Sequence, residues 1–148
     1  NHYKMKIAKT RDVKTPERGT SKSAGLDFFI PNDFNETMVF PRGDILIPSG
    51  IKVKIPKGYM LMANDKSGIC SKSKLKVGAK IVDEDYQGEI HLHLFNYGQR
   101  NITVSPGMKI VQFILVPVYY ATVEVVEEKD LFPELSDRGA RGFGSTGN

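Results

Sequence analysis

The stretch Gly78-Ala79-Lys80-Ile81-Val82-Asp83-Glu84-Asp85-Tyr86-Gln87-Gly88-Glu89-Ile90 sets three consecutive carboxylates and a phenol between two glycines, with apolar runs on either side. Such a segment builds a core poorly, and the glycines let the chain turn sharply. If Ile81 and Val82 end one strand and residues 90–94 open the next, the connection is a hairpin whose tip is fixed by sheet on both sides and presented to solvent. A carboxylate beside an aromatic ring at such a tip can orient a water while the ring packs on a sugar. That is equipment for hydrolysing a nucleotide. The same residues also suit a solvated acidic turn, and the segment alone leaves both readings open.

Other residues with chemical potential are spread along the chain. Ser23-Ala24-Gly25-Leu26-Asp27-Phe28-Phe29 leads small residues into an apolar strand that carries one acid. Asp27 is either an exposed strand end or a member of a polar site, because a buried carboxylate without a partner is costly. Asn64-Asp65-Lys66-Ser67-Gly68-Ile69-Cys70 can offer an ammonium, a hydroxyl and backbone N–H groups to a phosphate, or can be an ordinary turn. Gln112 interrupts the apolar run 108–116, where a buried amide must find hydrogen-bond partners. His91 and His93 share one strand face but lack an assignable third ligand, so they read as a structural or solvent-facing pair before a zinc site. The tail 138–147 concentrates guanidinium groups, two hydroxyls, glycines and one aromatic ring. It suits either a disordered arginine- and glycine-rich tail or a segment that closes on a nucleotide.

The elements that must position these groups are strands. Ile45, Ile47, Ile51, Val53 and Ile55 alternate, with Pro48-Ser49-Gly50 bending the pattern into two strands. Residues 6–8, 59–63, 90–95, 102–104, 108–116 and 119–126 also read as strands, 10–20 as a loop, and 71–76 as one short helix. Leu131-Phe132-Pro133 reads as a local dock. Short strands separated by Pro and Gly at intervals of roughly 8–12 residues argue for an all-β sandwich or barrel.

Composition narrows the function classes. The chain of 148 residues is the size of one domain, and its formal charge of +4 comes from scattered basic residues. That suits small anionic ligands better than a nucleic-acid polymer. One cysteine, Cys70, excludes an internal disulfide and a cysteine-built metal site. No apolar run approaches ~18 residues, so the expectation is a soluble protein without a membrane span or secretion signal, working in the cytoplasm or, for a viral chain, in the host cell interior.

The central stretch closely resembles the third of the five motifs of the dUTP pyrophosphatase (dUTPase) family, and the other four follow in order between Ser23 and Gly147. Residues 23–29 resemble the first motif, Lys66-Ser67-Gly68 the second with lysine where arginine is usual, Gly107 to Gln112 the fourth, and 138–147 the fifth. The resemblance implies a jelly-roll-like β-barrel over residues 6–135, with a mobile tail at 136–148 that closes over an active site. It also implies a homotrimer with sites shared between subunits. The implied reaction is dUTP and water giving dUMP and pyrophosphate, with Mg²⁺ on the triphosphate and Asp27 acting on that ion through water.

By the same resemblance Asp83 activates the attacking water, Gln112 helps hold the phosphates near it, and Tyr86 sits under the deoxyribose. Backbone groups of Val77, Lys80, Ile81 and Val82 belong to the uracil-reading segment. Lys66, Ser67 and Gly68 grip phosphates. In the tail, Phe143 stacks on uracil, while Arg138, Gly144, Ser145 and Thr146 enclose the terminal phosphates. Lys80 and Arg141 fall where the family usually has glycine. A dCTP deaminase-like relative and a catalytically inactive family member serving as a binding protein are the alternatives. The phenylalanine-centred tail and the tyrosine after Asp83 favour dUTPase over the first, and Asp83 itself argues against the second.

Overall fold

The computed structural model of the chain describes residues 4–66 and 74–142. Among the described residues twelve strands and one short helix follow in order: β1 (Lys6–Lys9), β2 (Glu17–Arg18), β3 (Gly25–Phe29), β4 (Thr37–Val39), β5 (Asp44–Pro48), β6 (Ile51–Lys54), β7 (Tyr59–Asp65), β8 (Leu75–Val77), β9 (Ile81–Val82), β10 (His91–Asn96), β11 (Ile102–Val104), β12 (Lys109–Pro117) and α1 (Glu128–Leu131). Among the described residues, no helix is long and apolar enough to cross a membrane.

The apolar patterns become strand faces as their periods require. In β6 and β10 buried and exposed residues alternate, and the Ser49-Gly50 bend turns the chain from β5 into β6. This bend moves the chain between sheets: β5 pairs with β10, whereas β6 pairs with β1. The nine-residue β12 is central in a five-stranded sheet of order β2-β3-β12-β7-β9. Its consecutive Ile110 and Val111 are both buried, as expected of a strand covered on both faces. Phe113 packs its ring on Phe28 of β3 with centroids 4.5 Å apart, and Leu61, Leu92, Leu94 and Ile47 complete the surrounding core. Separate sheets of two, three and two strands, β1-β6, β5-β10-β8 and β11-β4, complete a jelly-roll-like all-β fold whose barrel is not closed.

Five expectations need correction. Ile81–Val82 and the strand after it do not form a ladder with each other: β9 adds to the edge of β7, while β10 pairs with β5 and β8. The acidic stretch therefore crosses from one sheet to another. The helix expected at 71–76 does not hold at residues 75 and 76, which belong to strand β8 at Leu75–Val77 with Leu75 and Val77 buried on one face; residues 71–73 lie outside the described ones. The loop at 10–20 contains the two-residue β2, which pairs with β3. The segment 119–126 has strand composition but is no strand, because no strand among the described residues pairs with it. Leu131 and Phe132 do not dock; both are exposed.

Candidate active site

The turn after β9 carries Asp83 and Tyr86 at the mouth of a cleft of ≈ 210 Å³, whose wall includes Lys80, Ile81 and Val82 and whose floor includes Ile90 and Phe113. Asp83 is exposed, and its carbonyl accepts the Tyr86 N–H at 3.1 Å to close the turn. Tyr86 is 44% exposed, and its phenol O–H donates to the Glu89 carbonyl at 2.8 Å. A Cβ at position 88 would stand 2.6 Å from that phenol oxygen, so glycine is what lets the ring fold back over its own loop.

Two acids that sequence reasoning left among the solvated ones anchor this loop. Glu84 accepts the Gly58 N–H and the Tyr120 O–H, both at 2.8 Å. The Gly58 hydrogen bond, and after it that of Tyr120, hold its carboxyl below the ordinary value. Glu89 takes Arg11 Nε at 2.8 Å, Thr10 Oγ1 at 2.8 Å and Gly50 N–H at 2.9 Å. The Arg11 hydrogen bond is the chief reason its carboxyl also lies low. Acidic spacing could not separate these anchors from Asp83, because their partners are 26 to 79 residues away in sequence.

The backbone expected to read uracil is partly spoken for. Val77 is buried and gives its N–H to Asp65 Oδ1 at 2.6 Å, and the Lys80 carbonyl accepts from Ala63 N–H at 2.6 Å. Val77 is therefore a support for the cleft and does not line it. Because β9 is the edge of its sheet, backbone groups of alternate residues along it face away from β7 and stay open to a ligand. His93 supports the same wall: its Nδ1 accepts the Ala79 N–H at 3.0 Å, which leaves Nε2–H to donate to Asp44 at 2.7 Å. His91 lies on the cleft wall and bonds the Glu89 carbonyl at 3.1 Å.

A second group of functional side chains assembles at the other end of β7. Asp27 is only 3% exposed, and its carboxylate is neutralised by Lys66 Nζ at 2.7 Å, with Lys109 Nζ at 4.0 Å. Gln112 lies opposite Asp27 and Asn64 in the ladders and donates its amide to the Asp65 carbonyl at 2.9 Å. A Cβ on residue 25 would collide with the Gln112 amide oxygen, which accounts for the glycine at the start of β3. Lys109 was missed by sequence reasoning, although it sits inside the Gly107 to Gln112 motif.

The two groups do not meet within one chain. Asp83 follows Val82, which faces Leu61 across one side of β7, whereas Gln112 faces Asn64 across the other. At ~3.3 Å per residue and ~4.8 Å per strand they stand roughly 10 Å apart along β7 and a further ~10 Å across it. Arg138 is exposed and folded into its own turn, Nε donating to the Arg141 carbonyl at 2.6 Å and Arg141 Nε returning to the Arg138 carbonyl at 2.9 Å. Ser67, Gly68, Phe143, Gly144, Ser145 and Thr146 lie outside the described residues.

Among the described residues no three His, Cys, Asp or Glu side chains converge on a possible metal. The donor set therefore does not fit a metal cage built by protein. It fits an ion carried by phosphate oxygens, with the single buried carboxylate of Asp27 reaching it through water.

The dUTPase family model matches residues 11–147 of this chain. The chain belongs to the dUTPase family. It is 34% identical over 144 residues to the deoxyuridine 5'-triphosphate nucleotidohydrolase of Oryza sativa subsp. japonica, covering 97% of this chain and 80% of that one. The dUTPase of Staphylococcus bacteriophage 80alpha, solved with dUPNHPP, superposes with a TM-score of 0.86 at 23% identity, over 99% of this chain and 100% of that one. A mutant dUTPase from phage phi11 of S. aureus, whose structure concerns the coordination of a structural Mg(II) ion, gives 0.77 at 20% identity over 85% and 98%. These two share the dUTPase fold with this chain.

Proposed function

We propose that this chain hydrolyses dUTP to dUMP and pyrophosphate. The observation that carries the reading is the family match over residues 11–147 together with Asp83 and Tyr86 at the mouth of one cleft. Asp83 accepts a proton from a water, the water oxygen bonds to the α-phosphorus, and the bond from that phosphorus to its β-bridging oxygen breaks, releasing pyrophosphate. Exposure keeps Asp83 in contact with solvent that supplies the water.

Selection follows from the cleft wall. The uracil edge pairs with the outward-facing backbone groups of Ile81. Cytosine, with its reversed donors and acceptors, would leave groups unpaired. Tyr86 packs under the deoxyribose and leaves no room for a 2′-hydroxyl. Lys66, Ser67, Gly68 and Gln112 hold phosphates, and the Lys66 contact with Asp27 must open or be shared when they arrive. Phe143 stacks on the base, with Arg138, Gly144, Ser145 and Thr146 on the phosphates. Asp27 would hold a phosphate-bound Mg²⁺ through water, and that ion would offset the negative charge of the phosphates.

A homotrimer with shared sites is supported by two features. One water cannot touch Asp83 and Gln112 of the same chain at the separation set by β7, so a site that needs both takes them from different copies. Val123 and Val125 are 86% and 92% exposed on a strand-like segment that no strand of its own chain covers, as an arm laid on a neighbour would be. Pyrophosphate release measured in parallel on dUTP, dCTP, dTTP and UTP tests the activity. Turnover of dUTP far above the others is expected, and its absence would refute the reading.

A further inference from the structure

The turn that carries Asp83 and Tyr86 is exposed, so packing does little to hold it. Its second residue, Glu84, turns the other way. One carboxylate oxygen, Oε1, takes the Gly58 N–H and the Tyr120 O–H, each at 2.8 Å. Gly58 is gripped on its other side too, because its carbonyl accepts the Val118 N–H at 2.8 Å. Three pieces of chain therefore meet at one peptide: the catalytic turn, the turn that opens β7, and the root of the exposed segment beyond Pro117. These same bonds, with Lys57 adding a smaller attraction, hold the carboxyl below its ordinary value, and with the carboxylate as acceptor both contacts are charge-assisted. At the far end of the loop Glu89 is tied to Thr10, Arg11 and Gly50. The loop thus hangs between two carboxylate tethers, and the one beside Asp83 is shared with the arm.

We propose that Glu84 is a positioning residue for hydrolysis: by tying its turn to Gly58 and Tyr120 it sets where Asp83 and Tyr86 stand, and it couples the seating of the arm root to the catalytic turn. The proposal rests on the dUTP-hydrolysing reading of the cleft. Glu84 itself touches no substrate. A water-activating carboxylate displaced by about 1 Å can lose on the order of 10²-fold in rate, which is the scale a lost tether can reach.

The test compares the full chain with Glu84→Ala, Glu84→Gln and Tyr120→Phe, reading kcat and KM on dUTP and UTP, melting temperature and oligomeric state. Glu84→Ala should lower kcat on dUTP by ~10–100-fold and narrow the preference for dUTP over UTP. Its melting temperature and assembly should match wild type. Glu84→Gln keeps an oxygen that accepts both bonds and should restore most of kcat, while Tyr120→Phe, which removes one bond, should fall between wild type and Glu84→Ala. Wild-type kcat and selectivity in Glu84→Ala would overturn the proposal, as would a loss explained wholly by a lower folded fraction or a Glu84→Gln variant no better than Glu84→Ala. Amide hydrogen exchange at Gly58 and Tyr86, measured without nucleotide, reads the tether by itself. Faster exchange in Glu84→Ala supports it and unchanged exchange overturns it, whereas a wild-type chain that releases no pyrophosphate from dUTP contradicts the reading of the cleft.

Discussion

Asp83 and Glu84 are neighbours of the same type, yet the structure gives them opposite tasks. Asp83 faces the cleft mouth, whereas Glu84 is consumed by Gly58 and Tyr120. Asp83→Asn should therefore leave folding and dUTP binding nearly intact while lowering turnover by at least about 10²-fold, the low end of general-base catalysis. A near-normal rate in that variant would remove Asp83 from the mechanism. Tyr86→Ala should narrow the preference for dUTP over UTP by opening space beneath the sugar; equal loss on both nucleotides would instead assign the ring to packing. Glu89 supplies a pH prediction. Its folded-state carboxyl lies below the ordinary 4.5, so its ties to Arg11, Thr10 and Gly50 stabilise the fold fully above that value and fade as the pH falls through the folded value. The urea midpoints of wild type and Glu89→Gln should differ at pH 7 and converge at acid pH, and a difference that persists at low pH would exclude charge as the cause. Resemblance to the family motifs pointed to Asp83, Tyr86, Asp27 and Gln112, whereas their residue types alone left a structural role open. Partners were not readable, because Glu84 and Glu89 bond to residues brought near only by the sheet ladders.

At the scale of elements, alternation in 45–55 and 90–95 was legible because each strand buries one face against a single core. Residues 75 and 76 misled because short apolar spacing in a lysine-rich stretch fits a helical turn as well as the three-residue β8, and pairing with β10 decides between them. The hairpin reading of 81–94 failed for a related reason. Two strands adjacent in sequence need not pair when β7 offers the first of them a free edge. The segment 119–126 has the right composition for a strand and lacks only a partner. The described tail residues 136–142 are all exposed and contribute nothing to the core. Removing residues 138–148 should leave the melting temperature almost unchanged while abolishing most dUTP turnover. Phe143→Ala alone should weaken transition-state binding by about 1–3 kcal/mol, the usual worth of a base–aromatic stack. A large drop in melting temperature on removing the tail would assign it to the fold.

On the scale of the whole molecule, mild net charge and strand-rich patterning pointed to a β domain suited to a small anion, but no composition could say that Asp83 and Gln112 stand apart in one chain. That separation comes from register: β7 places Asp83 near one of its ends and Gln112 near the other, on opposite flanks. If both serve one water, the working unit contains more than one copy, and sedimentation equilibrium should give the mass of a trimer of the 16.5 kDa chain. The most direct measurement is subunit mixing. Asp83→Asn and Gln112→Ala chains, each poorly active alone, are unfolded together, refolded together and assayed for pyrophosphate release from dUTP, with mass spectrometry establishing that mixed oligomers have formed. Shared sites predict that the mixture recovers activity well above either parent, because some sites then combine an intact Asp83 from one copy with an intact Gln112 from another. Activity no greater than the average of the two parents would contradict the account.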